Sequence, residues 1–247
     1  MIQVEGLQKL YGDFPAVQGL SFEVASGEVL GLVGPNGAGK TTTIRSIAGI
    51  IIPTKGRIRI AGYDIAEDPV AAKSALAFIP DEPHLFEYLT VEEHLRLVAR
   101  LYGVDDFDRR AGVLFDELEL KGKEGSLPGE LSRGMRQKVV IACGLVRPAT
   151  TLLFDEPLTG LDPIGIRRMR NTIVARARDG AAILLSSHLL HLVEEICSRV
   201  IIMDRGKKIA DGTFAELASR ADLATAGSSL EQIFLRVTGH DTSAGQS

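Results

Sequence analysis

No run of about eighteen apolar residues occurs anywhere in this chain, so no membrane span is expected. The apolar stretches 47–52 and 181–185 are too short to cross a bilayer. An excess of basic residues is also missing. Lys and Arg number 28 against 32 Asp and Glu, a formal net charge of −4, which argues against a general nucleic-acid surface. Cysteine is scarce. Cys143 and Cys197 match no metal spacing and fall in apolar helical patterns, so they read as small buried hydrophobes in a reducing compartment. No signal peptide is expected ahead of the first strand, over 2–7. No internal repeat is visible. His84, His94, His191 and His240 lack paired spacing and read as surface or helix residues. His191 lies three residues after His188, but no third ligand accompanies them. Hydrophobic residues are plentiful, at 45 % of 247, enough for the core of one domain with lobes.

Three segments, in order, carry chemistry. Gly34, Pro35, Asn36, Gly37, Ala38, Gly39, Lys40 and Thr41 spell G-x-x-x-x-G-K-[ST], a phosphate-binding loop. Its glycines let backbone N–H groups turn inward around phosphates. Lys40 supplies a mobile positive charge, and the Thr41 hydroxyl is placed to face Mg²⁺. The context fits. The apolar stretch 29–33 reads as a strand, and 42–50, from Thr42, continues as a helix whose N-terminus favours anions. Far downstream, 151–154 reads as a buried strand ending in Asp155 and Glu156 at the sheet edge where ligands bind. Asp155 suits indirect Mg²⁺ binding, and Glu156 suits polarising a water for attack on a terminal phosphate. Between them, Leu131-Ser132-Arg133-Gly134-Met135 offers a second anion-binding backbone. Two phosphate-binding surfaces with one acidic strand end suggest two copies sharing nucleotides across an interface.

These segments resemble the ATP-binding-cassette ATPases over roughly 1–237. The loop 34–41 resembles the Walker A motif and 151–156 resembles Walker B. The segment 131–135 resembles the family signature, although Arg133 stands where Gly is common and Met135 where Gln is common. Leu158-Thr159-Gly160-Leu161-Asp162 resembles the D-loop, and Ser186-Ser187-His188 the switch histidine. Tyr11 falls where the family stacks an aromatic ring on adenine. Asp81 stands where the family's Q-loop glutamine follows Ile79-Pro80. The resemblance implies that Lys40, the loop from Gly34 to Thr41 and Thr42 hold ATP. It implies that Thr41 and Asp155 manage Mg²⁺, that Glu156 is the general base and that His188 senses the terminal phosphate. Ser132 and Gly134 would complete the site of a partner subunit, and Asp162 would lie at that interface. Asp81 keeps an oxygen for Mg²⁺, with Glu82 as the other candidate. Arg133 either approaches the partner's nucleotide or points to solvent.

The implied fold is α/β: a P-loop NTPase (RecA-like) core with an antiparallel β subdomain and an inserted helical subdomain. One cassette is expected over 1–237, with its nucleotide-binding core at 1–81 and 145–218. The helical subdomain is expected at 82–144, a C-terminal helical segment at 219–237 and a flexible tail at 238–247. Residues 1 to about 30 read as antiparallel strands, with further strands at 56–60 and 77–79. Thr90 to Glu93 reads as a capping box opening a helix. Arg167, Arg168, Arg170, Arg176 and Arg178 read as a solvated helix face. A short helix is expected over 228–237.

Two functions fit the resemblance. The first is the ATP-hydrolysing subunit of a transporter at the cytoplasmic face of a membrane. It requires an integral membrane permease subunit and a second ATP-binding subunit, with no nucleic acid. The pattern at 79–83, Met135 and 230–236 most resembles bacterial exporters of drugs, antibiotics or cell-surface polymers. The alternative is a soluble single-cassette ATPase acting in cofactor or complex assembly. A kinase on the same loop would have no use for the signature or His188.

Overall fold

The computed structural model describes residues 1–221 and 229–238. Its first sheet is antiparallel. β1 (Ile2–Tyr11) pairs on one edge with β2 (Phe14–Val24) and on the other with β4 (Lys55–Ile60), which pairs with β5 (Tyr63–Asp64). Alternation along β1 and β2 buries Ile2, Val4, Leu20, Phe22 and Val24 on one face, the pattern of a sheet covered on one side.

The second sheet has the order β10-β9-β3-β8-β7-β6. It comprises β3 (Val29–Val33), β6 (Leu76–Ile79), β7 (Thr151–Asp155), β8 (Ala182–Ser187), β9 (Arg199–Asp204) and β10 (Lys207–Gly212). All neighbours are parallel except the β9–β10 hairpin. β3 and β7 are buried at all five positions, as strands covered on both faces must be. β3 therefore does not continue the antiparallel region expected up to residue 30. It lies between β8 and β9 in the parallel sheet.

The strand period of two divides the core. Leu30, Leu32, Leu153 and Leu184 face the antiparallel sheet together with Ile44 and Ile47 of α1 (Lys40–Ile47). Val29, Val33, Leu152, Phe154 and Leu185 face the opposite way. They meet α5 (Arg133–Leu145), α6 (Pro163–Arg178) and α7 (Leu190–Ile196). Gly31 sits on that second face. A Cβ there would lie 2.7 Å from Val193, so only glycine admits α7 so closely.

Between β6 and β7 the chain is helical. After α2 (Pro69–Ser74), which precedes β6, come α3 (Val91–Leu101), α4 (Phe107–Glu117) and α5. The capping box is present: Thr90 accepts from the Glu93 N–H, and Glu93 accepts from the Thr90 N–H. Leu95, Ala99, Ala111, Leu114, Phe115 and Leu118 pack together, and α5 carries Val139, Ile141, Ala142 and Leu145 into the same core. Gln137 anchors α5 to the end of β6 by donating to the Pro80 carbonyl at 3.0 Å.

α8 (Phe214–Arg220) and α9 (Leu230–Thr238) close the described chain, with Leu230 and Ile233 buried. The tail expected over 238–247 lies outside the described residues apart from Thr238, as does His240. Among the described residues no helix is long and apolar enough to cross a membrane.

His94 is a helix residue of α3, and it is buried: its Nε2 accepts from the Phe86 N–H at 2.8 Å and its Nδ1 meets the Thr90 carbonyl at 2.7 Å. The arginines of α6 are more than a solvated face. Arg168 pairs with Glu119, Arg170 with Glu195 and Arg176 with Glu117.

Candidate active site

The carboxyl ends of four parallel strands converge, as ligand sites do in open α/β sheets. The loop 34–39 leaves β3, Pro80-Asp81 leaves β6, Asp155-Glu156 ends β7 and Ser187-His188 ends β8. A pocket of about 460 Å³ opens over them. Asn36, Gly37, Ala38, Gly39, Lys40, Thr41 and Thr42 form one wall, and Asp81, Glu156 and His188 another. Tyr11, from the first sheet, stands at its edge.

The loop's shape follows from its glycines. Gly37 and Gly39 take φ of 82° and 100°, the left-handed region that costs other residues strain. A Cβ on Gly39 would also come within 2.4 Å of the Ala16 carbonyl. Gly34 and Pro35 do not line the pocket. They lie behind it, and their carbonyls accept from the Lys40 ammonium at 2.8 and 3.3 Å. Lys40 lies 4.0 Å from Glu156. Burial lowers the Lys40 pKa from its ordinary value, and Glu156 and Asp155 act against that shift.

Asp155 is buried below the pocket floor. Its Oδ1 accepts from the Ser186 hydroxyl at 2.7 Å and from the Thr41 hydroxyl at 3.2 Å. Its Oδ2 is buried without a partner, and so is Oδ1 of Asp81. Orphaned carboxylate oxygens beside a hydroxyl form an oxygen-only donor set suited to a hard cation such as Mg²⁺. Among the described residues no three His, Cys, Asp or Glu side chains enclose a metal by themselves. Burial raises the Asp81 pKa, aided by Asp155 and Glu156 and opposed by Arg133.

Glu156 is held in an uncommon backbone state, with φ of 50°. Its N–H donates to the Ser186 carbonyl and hydroxyl at 3.2 and 3.1 Å. Its Oε2 accepts from the His188 N–H at 3.2 Å and lies 2.8 Å from His188 Nδ1. Glu156 and His188 thus form a carboxylate–imidazole pair at the pocket wall.

Ser132 and Gly134 are not brought to this pocket. Ser132 caps α5, accepting from the Met135 N–H at 3.2 Å, and is exposed. Gly134 packs on the D-loop: a Cβ there would lie 2.8 Å from the Gly160 carbonyl. Arg133 runs along the same loop, its Nε 3.6 Å from where a Gly160 Cβ would stand. Asp162 caps α6 through the Gly165 N–H. Three residues at the site were given no role from the sequence, and of these Phe14 alone lies outside the quoted motifs. Phe14 and Thr159 line the pocket, and Ser186 bonds both acidic residues. Ser186 was legible only as the residue two before His188.

Comparison with known proteins agrees with this geometry. A family model described as "ABC transporter" matches residues 17–159. The ABC-type transporter ATP-binding protein EcsA of Bacillus subtilis (strain 168) is 35 % identical over 243 residues, covering 98 % of both chains. The SkfA peptide export ATP-binding protein SkfE of the same organism is 39 % identical over 213 residues, 85 % of this chain and 88 % of that one. The solved structure of an ATP-binding subunit of an ABC transporter superimposes with a TM-score of 0.91 at 36 % identity, covering 96 % of this chain and 99 % of that one. On the family model, these relatives and this superposition, the chain belongs to the ABC transporter family as an ATP-binding, ATP-hydrolysing subunit.

Proposed function

We propose that the chain powers export through a separate membrane-spanning partner, by closing head to tail with a second ATP-binding subunit around ATP. The observation that carries this reading is the arrangement of Lys40, Glu156 and His188. A cation is 4.0 Å from a carboxylate that an imidazole grips at 2.8 Å, on a floor of buried carboxylate oxygens.

The residues divide the work. The backbone of Gly37 to Thr41 and the Lys40 ammonium bind and orient the phosphates, and Tyr11 receives the adenine. Thr41, Asp155 and Asp81 would hold Mg²⁺, which offsets the charge of the bound phosphates. Glu156 takes the proton of the attacking water, while His188 fixes the carboxylate's orientation and stands close to the terminal phosphate. Ser132 and Gly134 do not line their own pocket and Ser132 is exposed, which supports their completing the partner subunit's site.

Export is supported by relatives whose names carry it, including SkfE and the Nod factor export ATP-binding protein I of Paraburkholderia xenovorans (strain LB400). An apolar groove of about 410 Å³ supports a protein partner. It is lined by Leu97, Val98 and Tyr102 together with His84, Leu85 and Phe86 of the loop leading into α3. A peripheral position at the cytoplasmic face follows from such docking.

Lys40→Ala should abolish hydrolysis and weaken ATP binding in titration calorimetry, with an unchanged circular dichroism spectrum. Near-parental turnover in that variant would end the phosphate-loop assignment.

A further inference from the structure

Aromatic residues make up only 5 % of the chain, yet two of them flank one turn at the mouth of the phosphate pocket. Tyr11 ends β1 and Phe14 opens β2, and they are direct partners across the Gly12-Asp13 turn. Directly opposed residues of an antiparallel pair project to the same face of the sheet. Both side chains border the pocket that holds Lys40 and Thr41.

The two rings have little to do within the chain. Tyr11 is 49 % exposed and Phe14 64 %, so neither contributes much to the core. Among the described residues the close ring pair is Phe86 with His94, so Tyr11 and Phe14 do not stack on one another. The Lys9 ammonium lies 5.1 Å from the Tyr11 ring centroid and takes one of its faces as a cation–π contact. An apolar ring left bare beside a charged, phosphate-binding wall suits a ligand with a flat π-system at one end and anionic groups at the other. A nucleoside triphosphate has that form.

We propose that Phe14 is a second base-contacting residue, forming with Tyr11 a two-ring platform for the purine of the bound nucleotide. This rests on the ATP site described above and extends it from the phosphates to the base. Stacking on a phenyl ring uses no hydrogen-bonding edge, and every base has a π-face. The platform therefore adds affinity for a base without choosing between purines, and it adds nothing for phosphate alone.

The test is titration calorimetry on the full chain with three probes: ATP, GTP and inorganic tripolyphosphate. Phe14→Ala should weaken ATP by about ten-fold, equivalent to about 1.4 kcal/mol, and GTP by a similar factor. Tripolyphosphate affinity should not change, and Phe14→Tyr should retain the parental ATP affinity. Unchanged ATP affinity in Phe14→Ala overturns the platform. So does an equal loss for tripolyphosphate, which would assign the effect to the loop, or a loss confined to one purine. Lys40→Ala is measured alongside. If it loses tripolyphosphate while Phe14→Ala binds ATP normally, the platform fails and the phosphate site stands.

Discussion

Cys143 lines the apolar groove beside Phe86 and Tyr102, and burial pushes its thiol up to about 12 from 9.0. The Cys197 thiol, buried under α7, is pushed up as well. Thiolate is the reactive form. At pH 8, Cys143 therefore carries about a thousand-fold less thiolate than a free cysteine. The folded pKa lies above the unfolded one, so this protonated thiol favours the fold below pH 9, and the contribution fades as pH climbs toward 12. Native chain at pH 8 should react very slowly with a chromogenic disulfide reagent, then release both thiols at once in denaturant. Fast native labelling of Cys143 would mean that its partly exposed place in the groove outweighs its raised pKa. Residues tied to backbone motifs were the legible ones. Lys40, Asp155, Glu156 and His188 meet at the pocket because loop spacing and strand ends dictate it. Phe14 escaped because its surroundings are tertiary: it matters through a pocket wall whose residues run from Asn36 to His188.

Glu119 joins three elements that the sequence presents separately. It follows α4, takes φ of 57°, accepts from Lys138 of α5 at 2.9 Å and pairs with Arg168 of α6 at 3.3 Å. Lys138 is nearly buried, so removing its partner leaves a poorly solvated ammonium. Glu119 is itself about a third exposed, which screens the pair. Glu119→Asn keeps a residue that tolerates left-handed φ while deleting the charge. It should lower unfolding stability by about 1–2 kcal/mol in urea titration, with a smaller loss at high salt. A salt-independent loss would assign the residue a packing role. The helices and most strands were legible because apolar periods of 3.6 and 2 survive in the sequence. Sheet membership was not. β3 follows two antiparallel strands in sequence, but its neighbours β8 and β9 lie about 150 residues downstream, and local pattern carries no record of pairing at that range. The Arg168–Glu119 and Arg176–Glu117 pairs hid for the same reason.

Across the molecule, Ser132 and Gly134 of the signature segment are not among the residues lining the nucleotide pocket. Glu156→Gln keeps the shape of the pocket and loses the proton acceptor. Its turnover should fall by at least about a hundred-fold, and it should accumulate as a closed dimer with ATP but not with ADP. Adding Ser132→Arg should prevent that dimer, as read by light scattering. A membrane partner that tethers two subunits would raise their effective concentration and favour closure, so the same measurement belongs on the full complex. A Glu156→Gln complex that stays open with ATP bound would falsify head-to-tail closure. The outward-facing Ser132 also has a genetic consequence. Lys40→Ala spoils the pocket of its own chain but spares the serine it lends; Ser132→Arg spoils the loan but spares its own pocket. Either chain alone yields only defective sites. Combined in one transporter, they leave one site with a sound pocket from the second chain and a sound serine from the first. Co-expressing two inactive alleles should therefore restore measurable hydrolysis, whereas a pocket complete within one chain would leave the mixture as dead as its parts.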